Sequence, residues 1–362
     1  MRFPEFSGEW KSIPISTIAD IIGGGTPDTS VDEYWGGNIQ WFTPSEIGKE
    51  KYAYLSDRTI TEAGLKNSSA KLLPQGTVLL STRATIGECS IATAECTTNQ
   101  GFQSLVAKKN NVSSEFLYYI VAKIKREMLR RSCGSTFLEI SANELKKIHA
   151  NIPSKAEQEK LVSLLSLIDQ RIETQKKIIE KYESLIRGLC EKLTRQGNAN
   201  KSINECLECH SSTLQESEVL DTGRYPVYGA IGVCGYTDAP DVSGDGILII
   251  KDGASVGVTY FADGSYSFIG TLNRMTAKED INLRYVYYCL KVLNFTPYKT
   301  GLAIPHIYFK DYGKHKIWCP SFEQQSRIAD ALINIDNKMH VEKSLLEQLN
   351  SQKRYMLNQL FI

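Results

Sequence analysis

Pro153-Ser154-Lys155-Ala156-Glu157-Gln158 opens a stretch, running to Gln196, whose reading decides the fold. Its apolar residues fall at Leu161, Leu165, Ile168, Ile172, Ile179, Tyr182, Ile186, Leu189 and Leu193, in steps of four and three. Only Gln175 interrupts them. This is the seam of a two-helix coiled coil. The same stripe returns 167 positions later as Ile328, Leu332, Ile335, Met339, Leu346, Leu349, Met356 and Leu360, with Glu342 at the place of Gln175. Pro153-Ser154 recurs as Pro320-Ser321, Gln158 as Gln325 and Asp169 as Asp336.

The repeat extends beyond the helices. Gly246-Ile247-Leu248-Ile249-Ile250-Lys251-Asp252-Gly253 matches the run from Gly76, and Tyr285-Val286-Tyr287-Tyr288 matches Phe116-Leu117-Tyr118-Tyr119. The expected architecture is a globular domain followed by a long helix, twice: 1–152, 153–197, 198–319 and 320–362. It is an α+β fold, two β-rich domains joined by two long helices with an internal pseudo-twofold. Val78-Leu79-Leu80-Ser81-Thr82 reads as a buried strand, and Gly23-Gly24-Gly25-Thr26-Pro27 as a loop. Ser113 or Ser114 can cap a helix carrying Phe116-Leu117 and Ile120-Val121 on one face.

An apolar seam has to be covered, most simply by the other helix. Each helix would be about 60 Å long at 1.5 Å per residue. The second domain must leave the end of one helix and return to the start of the other. A domain of roughly 120 residues spans that gap only when the helices run antiparallel. The middles then meet. Gln175 and Glu342 either contact each other there, fixing register, or lie on the wet edge of the stripe. The segment from Leu349 onward is expected to serve assembly and to be dispensable for folding of either globular domain.

Composition bounds the rest. The 362 residues carry a net charge of +1, so binding to nucleic acid needs local basic surface. No apolar run approaches the ~20 residues of a membrane span. The start does not read as a signal peptide, and nine scattered cysteines suit reduced thiols in a cytoplasm. No Walker sequence or dinucleotide glycine pattern occurs, and the absence of a Pro-Pro pair excludes the motif with which amino-methyltransferases hold a base. Cys206-Leu207-Glu208-Cys209-His210 spells CxxCH, but no second ligand pair accompanies it, so it reads as chance.

The side chains suited to nucleic acid are more telling. Lys123, Lys125, Arg126, Arg130 and Arg131 end one helix with only Glu127 opposing them locally, and form either a phosphate-binding edge or a solvated face. Ser135 and Thr136 follow. Arg83 stands in a turn after a strand, as do Lys251 and Asp252 in the second repeat. Asn99 and Gln100, Asn273 and Arg274, and the loop from Lys299 to His306 add groups with hydrogen-bond geometry for base edges. Trp35, Trp41, Tyr225 and Tyr228 read as packing residues.

The chain resembles the specificity subunit of type I restriction–modification systems. The resemblance is carried by Arg2-Phe3-Pro4-Glu5-Phe6 with Gly8-Glu9-Trp10, Gly24-Gly25-Thr26-Pro27, Tyr34-Trp35 and Ile39-Gln40-Trp41-Phe42-Thr43-Pro44. In the second half it rests on Tyr225-Pro226-Val227-Tyr228-Gly229, Lys251-Asp252-Gly253-Ala254-Ser255-Val256-Gly257 and the two Pro-Ser helix starts. Phe268-Ile269-Gly270, just before Thr271-Leu272, departs from the family pattern. The resemblance implies two target-recognition domains, each reading half of a bipartite double-stranded DNA site. It implies two methyltransferase subunits docked on this chain, restriction subunits joining for cleavage, and methyl donor, ATP and Mg held by those partners. The chain itself would be non-catalytic and metal-free. A type IIB-like enzyme's specificity subunit shares these features, and a coiled-coil protein-binding scaffold is the alternative of another class.

Overall fold

Two short strands, Val78–Leu80 and Gly246–Ile250, are buried on both faces and anchor the two halves of the molecule. The residues alternate between cores, as strand geometry requires. Val78 and Leu80 pack with Leu105 and Ile120, whereas Leu79 packs with Phe42 and Phe102. In the second half Ile247 and Ile249 join Tyr285 and Tyr288, while Leu248 and Ile250 join Val227 and Phe268. A continuous apolar run is therefore read by two layers at once. The computed structural model describes residues 2–134, 138–301 and 303–361.

Contacts group the chain into two units, Met1–Thr174 with Leu346–Ile362, and Gln175–Leu345. This differs from the four consecutive parts expected from sequence, because each long helix buries its two halves in different cores. In the first unit, Val78–Leu80 lies in a five-stranded sheet with Ala19–Gly23, Gln103–Ala107, Cys89–Ala92 and Tyr52–Ala53. A second sheet places Trp35–Phe42 between Arg58–Ile60 and Cys96–Thr98. In the second unit, Leu207–Ser211, Leu272–Ala277, Gly246–Ile250 and Thr259–Ala262 lie side by side in the same order as their counterparts.

Helix α1, Ser114–Arg131, covers the first sheet; its cap is Ser113, whose hydroxyl accepts from the Phe116 N–H at 3.1 Å. Helix α2, Lys155–Thr194, is the first long helix. Helix α3, Leu283–Lys291, repeats α1 and is capped by Asn282. Helix α4, Phe322–Leu360, is the second long one. Each short helix docks on a long one through a tyrosine. Tyr119 donates to Asp169 at 2.6 Å, and Tyr288 to Asp336 at 3.4 Å. At the helix starts, buried Gln158 donates to Asn111 and Pro153 oxygens, and buried Gln325 to those of Asp280 and Pro320. The repeat is thus kept in its polar joints as well as its apolar seam.

The seam residues of α2 and α4 are all buried or half-buried. Within the first unit Ile168 and Ile172 meet Leu346, Leu349 and Met356, while Leu161 and Leu165 share a core with Leu360 and Phe361. Within the second, Gln175 meets Glu342, and Ile186, Leu189 and Leu193 share a cluster with Ile328, Leu332, Ile335 and Met339. Rising numbers on one helix meet falling numbers on the other, so the pair is antiparallel in each unit. Gln175 is 6% exposed, too buried for a wet edge. Ile179 is buried as well.

The segment after Leu349 does more than expected. Phe361 is 3% exposed, stacks on Phe116 at 5.6 Å and meets Trp10 edge-on at 6.1 Å. It completes the first core. The sequence offered no signal for this, since a single aromatic beyond the last heptad has no periodicity to betray it.

Candidate nucleic-acid interface

In each unit, three loops are laced together by the same backbone bonds. In the first, Thr82 N–H donates to Gly101 O at 2.9 Å and Ile140 N–H to Thr82 O at 3.1 Å. In the second, Lys251 N–H donates to Thr271 O at 3.0 Å and Ile307 N–H to Lys251 O at 2.9 Å. The bonds match Thr82 with Lys251, Gly101 with Thr271 and Ile140 with Ile307, and so correct the sequence register here by one residue: Asp252 stands at the place of Arg83, where the run counted from Gly76 sets it against Thr82. The glycine-rich loop joins the first cluster, because Gly25 N–H donates to Thr98 O at 2.8 Å. Gly24 has to be glycine there: a Cβ would stand 2.0 Å from the Asn99 carbonyl oxygen.

The turn that carries Arg83 is strained. Ala84 adopts φ 63°, one of two non-glycine residues with positive φ among those described. That conformation costs an L-residue about 1 kcal/mol. Its counterpart Gly253 has φ 103°. The turn is one residue longer in the second unit, where Gly257 N–H closes on Ile250 O as Gly87 N–H does on Ser81 O, but the bridges Arg83–Glu139 and Asp252–His306 hold residues 83 and 252 alike. Each is held by a partner across the loop. Arg83 pairs with Glu139 at 2.6 Å, and Asp252 with His306 at 2.7 Å. Glu139 was not singled out from the sequence, although it stands 167 positions before His306, which was.

Other expected residues are placed as follows. Asn99 accepts from Gly101 N–H at 2.8 Å and closes its own turn, while Gln100 accepts from the Thr26 hydroxyl. Lys251 and Lys299 make no side-chain hydrogen bond or ion pair among the described residues, and Lys299 is exposed. Ser135 and Thr136 lie outside the described residues.

Two expectations need correction. Asn273 is 6% exposed and accepts from Ser211 at 3.1 Å, so it belongs to the sheet rather than to a reading surface. Arg274, mid-strand, is held by Tyr266 at 2.9 Å and by the carbonyl oxygens of Ser243 and Asp245, away from the loop cluster. A two-residue slip from loop into strand explains both.

The basic end of α1 is not one edge either. Residues three, four, seven or eight apart share a helix face, and those two apart do not. Lys123, Arg130 and Arg131 line a cleft of about 430 Å³ with His149, Asn151 and Phe361. Lys125 instead reaches Glu88 at 2.6 Å, beside the Arg83 turn. Arg130 and Arg131 pair with Glu127, and Arg131 also with Glu144. Glu88 and Glu144 are distant in sequence, so a local count missed them. Arg126 alone of the five has no partner among the described residues, since Lys123 reaches the Asn358 oxygen at 3.4 Å.

Trp41 is 4% exposed and donates to Gly25 O at 2.9 Å, with Trp35 edge-on at 5.0 Å; both pack. Tyr228 packs against Tyr266 at 5.6 Å, and Tyr225 is half-buried. In the CxxCH run, Cys206 is fully buried and His210 lies on a strand, bonded to Thr276 at 3.0 Å. No cluster of three metal-ligating side chains occurs among the described residues. No described helix is long and apolar enough to cross a membrane.

A duplicated β-rich domain with polar loops tied to one end of its sheets, each copy sharing a pair of antiparallel helices, defines a two-part recognition protein. Residues 7–184 and again 197–351 match the type I restriction modification DNA specificity domain. The chain belongs to that family of DNA-specificity subunits. It is 42% identical over 181 residues to the type I restriction enzyme MjaIX specificity subunit of Methanocaldococcus jannaschii, covering 49% of this chain and 42% of that one. It is 24% identical over 353 residues to the EcoprrI specificity subunit of Escherichia coli, covering 91% and 87%. The first of these matches thus spans less than half of its relative. Among solved structures, the type I S subunit from M. genitalium superposes with a TM-score of 0.62 at 19% identity, covering 100% of this chain and 99% of that one. A chain from a study of type I R-M complex assembly gives 0.58 at 15%, covering 99% and 98%. Both show the same fold.

Proposed function

We propose that each unit reads one half of a bipartite, asymmetric site on double-stranded DNA, and that the long helices set the separation of the two halves. What carries this reading is the pair of loop clusters with one backbone scaffold and different side chains. A scaffold that is kept while its exposed groups change is what two readers of different words require. The chain contributes recognition and no catalysis. Two methyltransferase subunits dock on the helices, and restriction subunits join for cleavage. Methyl donor, ATP and Mg belong to those partners, and the complex works in the cytoplasm. With a net charge of only +1, the partners supply most of the phosphate neutralisation.

The test is a filter-binding titration of the chain with its methyltransferase subunits at moderate salt. Binding that prefers one bipartite sequence, and vanishes when the spacing of its halves changes by a few base pairs, is expected. Binding blind to sequence, or absent, would mark a protein-binding scaffold instead.

A further inference from the structure

Arg83 is half-exposed, at 46%, and is buttressed from one side only. Its Nε and one Nη2 hydrogen are spent on a single oxygen of Glu139, at 3.0 and 2.6 Å. The Nη1 hydrogens and the second Nη2 hydrogen remain, forming the end-on fork of the guanidinium. That fork matches the O6 and N7 acceptors of guanine in the major groove. At the counterpart position, Asp252 accepts from His306 Nδ1 through one oxygen and keeps the other free among the described residues, with its side chain 32% exposed. A lone carboxylate oxygen accepts from an amino group. Cytosine N4 suits it, because adenine sets the repulsive N7 acceptor beside its amino group.

We infer that Arg83, positioned by Glu139, reads a guanine in the half-site of the first unit, and that Asp252, positioned by His306, reads a cytosine in that of the second. This rests on the DNA-reading function proposed above and adds which residue meets which base. The backbone bridges Arg83–Glu139 and Asp252–His306 are independent support, since they hold the two residues against matching partners in their units. Donor and acceptor are exchanged between the two units while the bridge that holds them is kept. The code is therefore inverted at one structural position.

The experiment is selection of bound sequences from a random double-stranded DNA pool by the full chain with its methyltransferase subunits. Wild type is compared with Arg83→Ala, Glu139→Ala, Asp252→Ala and Asp252→Asn. Expected is loss of a preference of about tenfold or more for guanine at one position with either Arg83→Ala or Glu139→Ala, every other position unchanged. A variant carrying both Arg83→Ala and Glu139→Ala should lose no more than Arg83→Ala alone. Asp252→Ala should relax one cytosine in the other half, and Asp252→Asn should turn that position towards adenine, which asparagine reads through N6 and N7. All four residues are partly exposed, and unchanged thermal unfolding confirms intact folding. An unaltered consensus in the variants, or an equal loss for all sequences, overturns the inference while leaving the DNA-reading function intact. A wild-type complex that selects no consensus overturns both.

Discussion

Gln175 and Glu342, counterparts in the two repeats, are bonded to one another: the Gln175 amide donates to the Glu342 carbonyl oxygen at 3.1 Å and to its carboxylate. In an antiparallel pair counterparts meet only at the midpoint, and these two do. The pair also interrupts the apolar seam, so a register shifted by one heptad would place Gln175 against Ile335 or Leu349 and Glu342 against Ile168 or Tyr182. We expect Gln175→Leu alone to cost about 1 kcal/mol, because it leaves a half-buried carboxylate without its donor. Leucine at both positions should raise the melting temperature, read by helix ellipticity, while admitting shifted registers.

The tyrosine joints differ in strength. Asp169 receives Tyr119 at 2.6 Å and Lys353 at 2.6 Å, with Lys51 at 3.9 Å and only 9% exposed. Asp336 has Tyr288 and Lys291 at 3.4 Å. Burial pulls the Lys51 ammonium below its ordinary range, so its charge is already costly. Asp169→Asn should therefore cost about 2–3 kcal/mol, less than a fully buried pair because Lys353 is 23% exposed. Asp336→Asn should cost about 1 kcal/mol or less. Denaturant melts of the two variants decide it; equal losses would mean the joints are equivalent.

Along α1, phosphate contact should depend most on Arg126, which alone of its five basic residues has no partner among the described residues. Arg126→Ala is expected to weaken binding to all DNA sequences alike and to reduce the salt slope by about one. Lys125→Ala should do less, since Glu88 already holds its charge. A changed methylation motif in either variant would show that these side chains read bases.

How far the sequence spoke depends on the range of the signal. The antiparallel seam and the duplicated domains follow from spacings of three, four and 167, and any reader can count those. The equivalence of the strands Val78–Leu80 and Gly246–Ile250 was visible, but its register was one residue out: matching Gly246 to Gly76 sets Val78 against Leu248, whereas the structure gives Ile247 and Ile249 the core side held by Val78 and Leu80. What stayed hidden was pairing across space. Glu88, Glu139 and Glu144 neutralise basic residues that look free in a local window. Asn273 and Arg274 looked like loop residues, but the strand begins at Leu272 and takes in both.

Cysteine chemistry gives a separate check on the second unit. The Cys206 thiol, with Lys201 nearby, holds the Cys319 thiol below its ordinary range, to about 7. Burial pushes Cys209 up to about 11 and also raises Cys234. The thiolate is the reactive form, and it is populated above the pKa. In a Cys133→Ser background, which removes the exposed thiol, iodoacetamide at pH 7.5 should label Cys319 first, with a rate that climbs from about pH 6 to 8. Labelling of Cys209 ahead of Cys319, read by peptide mass spectrometry, would contradict this.

Removing residues 349–362 should unfold more than the helix pair. Leu360 and Phe361 are 4% and 3% exposed in the first core, and burial of each is worth about 1.5–3 kcal/mol. Hydrogen exchange should quicken in Ala19–Gly23 and α1 while Gly246–Ile250 stays protected. Loss confined to α2 and α4 would show that Phe361 merely rests on the surface.

The first unit is closed by residues that follow the whole of the second in the chain. Vectorial synthesis usually lets the amino-terminal part settle first. Here the ribosome delivers Phe361 only after the entire 175–345 segment has emerged, so the earlier-made half waits, its aromatic slot unfilled, for the later one. Birth order and completion order are reversed, and a truncated nascent chain holds a finished core in only one of the two units.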